Sequence, residues 1–235
     1  MAGGLAGCLS GPVCSSPRME YLLLDPRIIE RVKNAKLVPG AAVKDPGNPL
    51  FVADRSWEPR YDNMYPNVLW DEEQEIYKCW YCPFIVDERT SRTAPGKRNP
   101  EMTDYMAARP NKRDEAILYA TSGDGIRWEK PELGIVEFNG SRKNNIVVRG
   151  PSGAGVYRDP RDPDPARRYK AFYAAQVGSL QLVRFSPDGL HWGPEIPCPE
   201  IAIQSDCHAN MIWSEQRQSY LGIVRHYDRI PVVGN

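Results

Sequence analysis

The chain has 235 residues, enough for one large or two ordinary domains with a hydrophobic core. Basic and acidic residues number 30 each, so the net charge is zero and no basic excess favours nucleic-acid binding. The content of 41% hydrophobic and 26% charged residues excludes wholesale disorder, while 22 prolines, 19 glycines and 12 tyrosines favour many short strands over long helices. An all-β fold is therefore predicted.

The N-terminal region carries little structural signal. Residues 1–20 are predicted to be a disordered leader, and residues 21–60 an extension that packs on the main domain. Leu5-Ala6-Gly7-Cys8 has the form of a lipoprotein cleavage box, but none of the seven residues before the cysteine is basic, so no convincing signal peptide is present. No stretch approaches the roughly 18 apolar residues of a membrane span. These features assign the protein to no particular cellular compartment.

A Cys-x-x-Cys spacing occurs at Cys79 and Cys82, beside the strand-like segment 76–81. This spacing is typical of redox and zinc sites, but no second such pair exists among the six cysteines. Buried cysteines of a strand are the preferred interpretation, with a metal or redox site as the alternative.

One motif occurs twice, in the pattern Ser-x-Asp-Gly-aliphatic-x-Trp. It runs from Ser122 to Trp128 and again from Ser186 to Trp192, each time after an apolar strand-like segment. The aspartate can accept backbone N–H groups, the glycine can adopt positive φ, and the tryptophan can pack back over the hairpin. The motif therefore predicts a turn that connects strands and has no catalytic role.

A second, weaker repeat links an asparagine to a tyrosine ten residues later. Asn67 precedes Tyr77, and Asn210 precedes Tyr220, with a tryptophan and a polar turn between them in both copies. Asp159 stands at the same distance from Tyr169, which places Asp159 at the start of a strand. An inner strand, a polar turn, two further strands and the Asp-Gly turn make up the blade of a β-propeller.

The repeats define an incomplete set of blades. The first is predicted at 61–139 with an insertion at 87–113, the second at 144–197, and the start of a third at 205–235. Two and a half blades cannot close a ring that usually takes about four to eight. The predicted fold is an all-β, incomplete propeller over residues 61–235, whose missing blades come from further sequence or from a partner chain.

Several segments carry a resemblance to a known superfamily. They are Lys44-Asp45-Pro46-Gly47-Asn48-Pro49, Asn67-Val68-Leu69-Trp70-Asp71, Tyr77-Lys78-Cys79-Trp80-Tyr81 and Arg158-Asp159-Pro160. From about Asp25 to Asp228 the chain resembles the five-bladed β-propeller glycoside hydrolases of the invertase/levanase and arabinanase/xylosidase types. The resemblance implies cleavage of a glycosidic bond in an oligosaccharide or polysaccharide. A calcium ion occurs in the arabinanase type, although no metal-binding loop is evident here.

In that superfamily three carboxylates meet at the mouth of a central funnel, one from each of the first three blades. Arg158-Asp159-Pro160 matches the motif of the second blade, whereas Asn67 and Asn210 stand where the other two carboxylates are expected. An amide cannot exchange a proton at a useful pKa. The nearest acidic residues are Asp62 and Asp206, so Asp62, Asp159 and Asp206 are the predicted catalytic residues.

Substrate binding is predicted for residues near these carboxylates. Trp57 and Tyr61 offer aromatic faces for sugar rings, and Arg158 and His208 offer hydrogen bonds to hydroxyl groups. Turn capping by the aspartates and ring closure by the aromatic residues are the structural alternatives. Three functions stay open: a glycosidase, a catalytically inactive carbohydrate-binding propeller, and a truncated interaction scaffold.

Overall fold

A computed structural model of the chain describes residues 29–36, 38, 40–61, 64–92, 112–175, 180–201 and 208–225. The predicted leader at 1–20 lies outside these ranges. The chain divides into two compact units, Met1–Pro46 and Gly47–Asn235. The described residues of the first unit contain no helix or strand. No helix in the described ranges has the length and apolar character needed to cross a bilayer.

The second unit consists almost entirely of antiparallel strands, which confirms the predicted all-β fold. The first sheet contains β1 (Asn67–Asp71), β2 (Ile76–Tyr81), β3 (Phe84–Asp87), β4 (Arg113–Ser122) and β5 (Ile146–Arg149). The second contains β6 (Ser152–Arg158), β7 (Tyr169–Ala174), β8 (Gln181–Ser186) and β9 (Ile196–Cys198). The third is a hairpin of β10 (Asn210–Ser214) and β11 (Ser219–Ile223). A short helix α1 (Glu88–Ser91) follows β3, and a 3-10 helix (Pro165–Arg167) lies between β6 and β7.

The boundary between the first two sheets differs from the predicted blade boundary. The sequence repeats predict that the second blade begins at residue 144, but β5 pairs with β4 and so belongs to the first sheet. Asn144 and Asn145 in front of β5 are buried, and the Asn145 carbonyl accepts the N–H of Tyr119. Residues 144–149 therefore extend the first sheet before the chain turns into β6.

The first strands of the three sheets lie side by side. Ala154 of β6 forms a parallel bridge with Ala209, and the Ala209 N–H donates to the Gly153 carbonyl at 3.0 Å. Asn67 of β1 bonds with its side chain to the backbone of β6, at 2.9 Å to Ala154 O and 3.1 Å to Val156 N. Neighbouring inner strands with sheets extending away from them are the arrangement of propeller blades.

Two hydrophobic clusters fill the space on either side of the first sheet. One lies between the first and second sheets and is built around Trp80, Tyr119, Tyr169 and Tyr173. The other covers the opposite face of the first sheet, where side chains from the segment 51–64 pack on the strands; it includes Phe51, Trp57, Tyr61, Met64, Tyr81 and Leu118. The second sheet is held on the first by buried aromatic side chains, each of which contributes about 1.5–3 kcal/mol.

Both Asp-Gly turns have the predicted geometry. Asp124 Oδ1 accepts the N–H groups of Ile126 and Arg127 at 2.9 and 2.8 Å, and Gly125 has φ +74°. Asp188 makes the same bonds to residues 190 and 191, both at 2.8 Å. A carboxylate that accepts two backbone N–H groups fixes the chain reversal at the end of each strand.

Candidate functional site

The candidate site lies where the inner strands β1, β6 and β10 begin. Tyr65 just before β1 and His208 just before β10 are in contact, with ring centroids 5.0 Å apart. Tyr65 has φ +44°, a left-handed conformation that is uncommon for a tyrosine and turns the chain sharply into β1. The segments that lead into the first and third sheets therefore meet where β1 and β10 begin.

His208 carries a buried polar atom. Its Nε2 is buried and makes no hydrogen bond with any of the described residues. Burial lowers the pKa of His208 below 6.5, so the imidazole is neutral near pH 7. A neutral ring nitrogen can donate or accept one hydrogen bond, which suits a ligand hydroxyl group.

Asp62 and Asp206, two of the three predicted catalytic residues, lie outside the described residues. In the sequence they stand three residues before Tyr65 and two residues before His208. Their predicted catalytic role stays a prediction.

Asn67 begins β1 and Asn210 begins β10, as the sequence predicted. The Asn67 amide is buried and connects two sheets: Nδ2 donates to Ala154 O at 2.9 Å and to Tyr65 O at 3.0 Å. Asn210 is exposed, and its Oδ1 accepts the N–H of Met211 at 2.8 Å. The Asn67 side chain therefore acts as a brace between sheets.

The predicted position of Asp159 at the start of an inner strand is wrong. Asp159 directly follows the end of β6, whose last residue Arg158 pairs with Tyr169. The equivalent pairs in the other two hairpins, Asp71 with Ile76 and Ser214 with Ser219, enclose only four residues. The turn after β6 is longer, so a count of ten residues back from Tyr169 ends within the turn.

Asp159 belongs to a buried ionic network at this far end of β6. Lys170 Nζ lies 2.9 Å from both Asp159 Oδ2 and Asp162 Oδ2, and the Lys170 and Asp159 side chains are 1% exposed. Tyr220 OH of the third sheet donates to Asp159 Oδ2. Burial raises the pKa of Asp159, but the hydrogen bonds from Tyr220 and Lys170 outweigh it and hold that pKa below its usual range. This arrangement stabilises an ionised carboxylate and joins two sheets.

Arg158 lies at the same far end. Its guanidinium reaches across to the first sheet, where Nη2 is 3.1 Å from Glu73 Oε1. The strand β6 has seven residues, which separates its two ends by about 20 Å at roughly 3.3 Å per residue. Arg158 and Asp159 are therefore remote from Tyr65 and His208.

Trp57 and Tyr61 belong to a third group of side chains, on the covered face of the first sheet. Trp57 Nε1 donates to Asn145 Oδ1 at 2.7 Å, and Lys130 Nζ donates to Tyr61 OH at 2.6 Å. Lys130 also contacts Glu58 Oε2 at 2.7 Å, with both side chains at most 5% exposed. The predicted substrate-binding residues thus lie in three separate places, with only His208 at the inner-strand end.

Sequence reasoning did not identify Lys130 or Asn145, which complete this network. Tyr81 OH donates to Glu58 Oε1 and accepts from Asn145 Nδ2, at 2.6 and 2.7 Å. Burial and the nearby Glu58 carboxylate raise the pKa of Tyr81 far above its usual value. Trp57 and Tyr61, which the sequence analysis singled out, are members of this network, whereas no pattern in the sequence marks Lys130, two residues after Trp128.

The cysteines and acidic residues that are described form no metal centre. Cys79 and Cys82 are buried and free, and burial raises the pKa of each thiol to about 12. Within the described ranges, no group of three His, Cys, Asp or Glu side chains is placed to hold a metal ion. The thiols stay protonated at neutral pH, as expected for buried cysteines of a strand.

The chain is similar to parts of three solved structures. A β-fructofuranosidase from Schwanniomyces occidentalis complexed with fructosyl-erythritol is 17% identical, with a TM-score of 0.40, over 70% of this chain and 30% of that chain. A variant fructofuranosidase from the same organism, complexed with fructosylnystose, is 15% identical with a TM-score of 0.38, over 74% and 33%. An N-acetylgalactosamine deacetylase from F. plautii in complex with blood group B trisaccharide is 12% identical with a TM-score of 0.41, over 72% and 46%.

This chain spans between 30% and 46% of the length of these structures. No sequence family and no curated protein matches it. The relation to the solved structures is a distant one, at the level of the fold alone.

Proposed function

We propose that the protein is a glycoside hydrolase that binds an oligosaccharide or polysaccharide where β1, β6 and β10 begin. The observation that carries the proposal is the contact between Tyr65 and His208. It brings together the two chain segments that enter β1 and β10, and each of these segments carries one of the predicted carboxylates, Asp62 and Asp206.

In this proposal Asp62 and Asp206 supply the two carboxyl groups of glycoside hydrolysis. One protonates the leaving oxygen, and the other attacks the anomeric carbon or activates a water molecule. A separation of about 5–5.5 Å between the two groups favours retention of configuration, and about 6.5–9.5 Å favours inversion. The neutral His208 imidazole hydrogen-bonds a sugar hydroxyl, and the Tyr65 ring packs on the sugar.

Asp159 has no catalytic part in this proposal. It lies at the opposite end of β6 and is paired with a buried lysine. Trp57 and Tyr61 hold the segment 51–61 on the first sheet through their bonds to Asn145 and Lys130.

Hydrolysis of a panel of aryl glycosides tests the proposal. Asp62→Asn and Asp206→Asn should each lower kcat/KM by about 100-fold or more, because each removes one proton-transferring or nucleophilic group. Asp164→Asn in the exposed turn after β6 is the matched control and should keep the wild-type activity. Full activity in Asp62→Asn or Asp206→Asn, with unchanged folding by circular dichroism, would contradict the assignment.

A catalytically inactive carbohydrate-binding propeller is the second candidate. It is favoured by Asn67 and Asn210, which place amides at the starts of β1 and β10. A glycan array separates the two candidates, since this alternative requires binding without turnover of any substrate in the panel. In both cases His208→Ala should weaken glycan binding by about tenfold, the loss of one hydrogen bond in a desolvated site.

A further inference from the structure

We propose that Asn139 is a site of spontaneous deamidation, at which the chain converts its own side-chain amide to a carboxylate. The backbone nitrogen of Gly140 attacks the side-chain carbonyl carbon of Asn139, and the Glu137 carboxylate accepts the proton of that nitrogen. The site lies in the hairpin 138–141, which has no part in the proposed hydrolysis of glycosidic bonds.

Asn139 and Gly140 are the two central residues of this tight hairpin. Phe138 N donates to Ser141 O at 2.8 Å, and Ser141 N donates to Phe138 O at 3.1 Å. Asn139 has φ +51° and Gly140 has φ +78°, so both lie in the left-handed region, as a two-residue turn of type I′ requires. Both residues are exposed. Water therefore reaches the amide side chain and the peptide bond that follows it.

The nucleophile is the backbone nitrogen of Gly140, and the structure pairs it with a base. Gly140 N donates to Glu137 Oε1 at 2.6 Å, a short charge-assisted bond. A carboxylate within hydrogen-bond reach of the proton that is removed meets the geometric requirement for a general base. Glycine has no Cβ, and apart from the adjoining residues no atom lies within 4 Å of the place that a Cβ would occupy. No side chain therefore shields the nitrogen.

The reaction balances with water as the only co-reactant. Rotation about the Asn139 Cα–C bond opens the exposed turn and brings the Gly140 nitrogen to Cγ of Asn139. A bond forms between these two atoms, the proton passes through Glu137 to the amide nitrogen, and the bond from Cγ to that nitrogen breaks, which releases ammonia. Water then opens the five-membered imide at either of its two carbonyl carbons. The products are aspartate and isoaspartate, in which the main chain runs through the former side chain.

The isoaspartate product is incompatible with the observed turn. Its main chain has one additional carbon atom, so a two-residue turn can no longer hold Phe138 and Ser141 in register. This pair is linked to the start of β5 by Asn144, whose Nδ2 donates to Val136 O at 2.9 Å and to Ser141 O at 3.3 Å. Isoaspartate should therefore loosen the segment that leads into β5. The aspartate product keeps the original main chain and should leave the turn intact.

Two other exposed asparagines lack this combination of features. Asn34 also has a left-handed φ, of +56°, but Ala35 follows it and its Cβ shields the backbone nitrogen. Asn210 is followed by Met211, whose side chain has the same effect. Both asparagines are present in every sample of the protein and serve as internal controls for Asn139.

Peptide mapping of the full chain by mass spectrometry tests the proposal. During incubation at neutral pH, the Asn139 amide should convert to a mixture of aspartate and isoaspartate, while Asn34 keeps its amide over the same period. Glu137→Gln should slow the conversion by about tenfold or more, because it removes the base and keeps the size of the side chain. Glu132→Gln is the matched control and should convert at the wild-type rate, since Glu132 is an exposed glutamate of the same segment whose carboxylate is not the one bonded to Gly140 N.

The stability of the products provides an independent measurement. Asn139→Asp represents the aspartate product and should unfold at the same temperature as the fresh protein. Incubated protein should contain a second, less stable population whose share equals the isoaspartate fraction. An Asn139 amide that outlasts the Asn34 amide, a conversion in Glu137→Gln that is as fast as in wild type or faster, or incubated protein without the less stable population would each overturn the proposal.

Discussion

The buried Asn67 amide makes bonds that a carboxylate cannot make. Its Nδ2 faces the carbonyl oxygens of Tyr65, Ala154 and Trp80. Its Oδ1 accepts from Val156 N in the neighbouring sheet. Only a side chain with both a donor and an acceptor satisfies all of these groups.

Asn67→Asp should therefore destabilise the protein and should not raise its hydrolytic activity. The carboxylate would face carbonyl oxygens without a donor, which lowers the free energy of unfolding by about 3 kcal/mol. The difference should shrink at low pH, because a protonated carboxyl regains one donor. Urea unfolding of wild type and variant measures it, with Asn139→Asp in an exposed turn as the control. Equal stability of wild type and Asn67→Asp at neutral pH would refute the brace.

The contrast between Asn67 and Asp159 shows what spacing in a sequence can predict. The ten-residue distance to a tyrosine placed Asn67 and Asn210 correctly, because both hairpins have four-residue turns. The same distance placed Asp159 wrongly, because the turn after β6 is ten residues long and includes the 3-10 helix. Asp164 caps the 3-10 helix in this turn and Pro165 begins it, so local residues determine the length of the turn. The pattern of residues in the strands does not predict that length.

At the level of elements, the two Asp-Gly turns have the same sequence pattern but different surroundings. Gly125 and Gly189 have φ of +74° and +78°, so a side chain is equally strained in both. A Cβ on Gly125 would lie 3.4 Å from the Tyr77 ring, an ordinary contact, whereas a Cβ on Gly189 would lie 2.5 Å from Trp80 Cζ2. Trp80 cannot move away easily, because it is fully buried and its Nε1 donates to Gly189 O.

Gly189→Ala should consequently destabilise the protein more than Gly125→Ala. The shared backbone strain corresponds to about 1 kcal/mol, and the clash with Trp80 adds about 1–3 kcal/mol in the first variant alone. Thermal unfolding of both variants measures the difference. Trp80 fluorescence should shift in Gly189→Ala and stay unchanged in Gly125→Ala. Equal losses of stability would mean that Trp80 does not restrain the second turn.

The same turns make stability depend on pH. Burial raises the pKa of Asp188, but bonds from the backbone and side chain of His191 outweigh it and lower the pKa to about 2. A folded-state pKa below the usual value gives stability that is present at neutral pH and lost as the pH falls from about 4 to 2. Asp188→Asn should be less stable than wild type by about 1 kcal/mol at pH 6, a value reduced by solvent screening, and equally stable near pH 2. Unfolding of wild type and Asp188→Asn at a series of acidic pH values, followed by circular dichroism, measures this difference in stability.

On the scale of the whole molecule, the sequence predicted the kind of sheet and the existence of repeats. The residues that join one sheet to the next could not be predicted from spacing. Tyr220 meets Asp159 because the hairpin β10–β11 lies beside β6, and no local pattern indicates that contact. Contacts between sheets depend on which sheets lie next to each other. The residue pattern within one strand sets its register and its faces but does not indicate the neighbouring sheet.

Tyr220 is the test of how strongly the third sheet is coupled to the second. Tyr220→Phe removes the hydroxyl that donates to Asp159, while Lys170 still neutralises the carboxylate. The loss of one charge-assisted bond corresponds to about 1.5 kcal/mol. Amide exchange in β10 and β11 should therefore accelerate by about tenfold, with exchange in β2 and β7 unchanged.

Tyr77→Phe is the matched control, because Tyr77 holds the same position in the first sheet and bonds to no other sheet in the part of the chain that the structure describes. Uniform acceleration in all three sheets would instead mean that the third sheet unfolds only together with the other two. Local acceleration means that the hairpin β10–β11 is held by this bond and its neighbours, and that each sheet adds its stability through its contact with the preceding one.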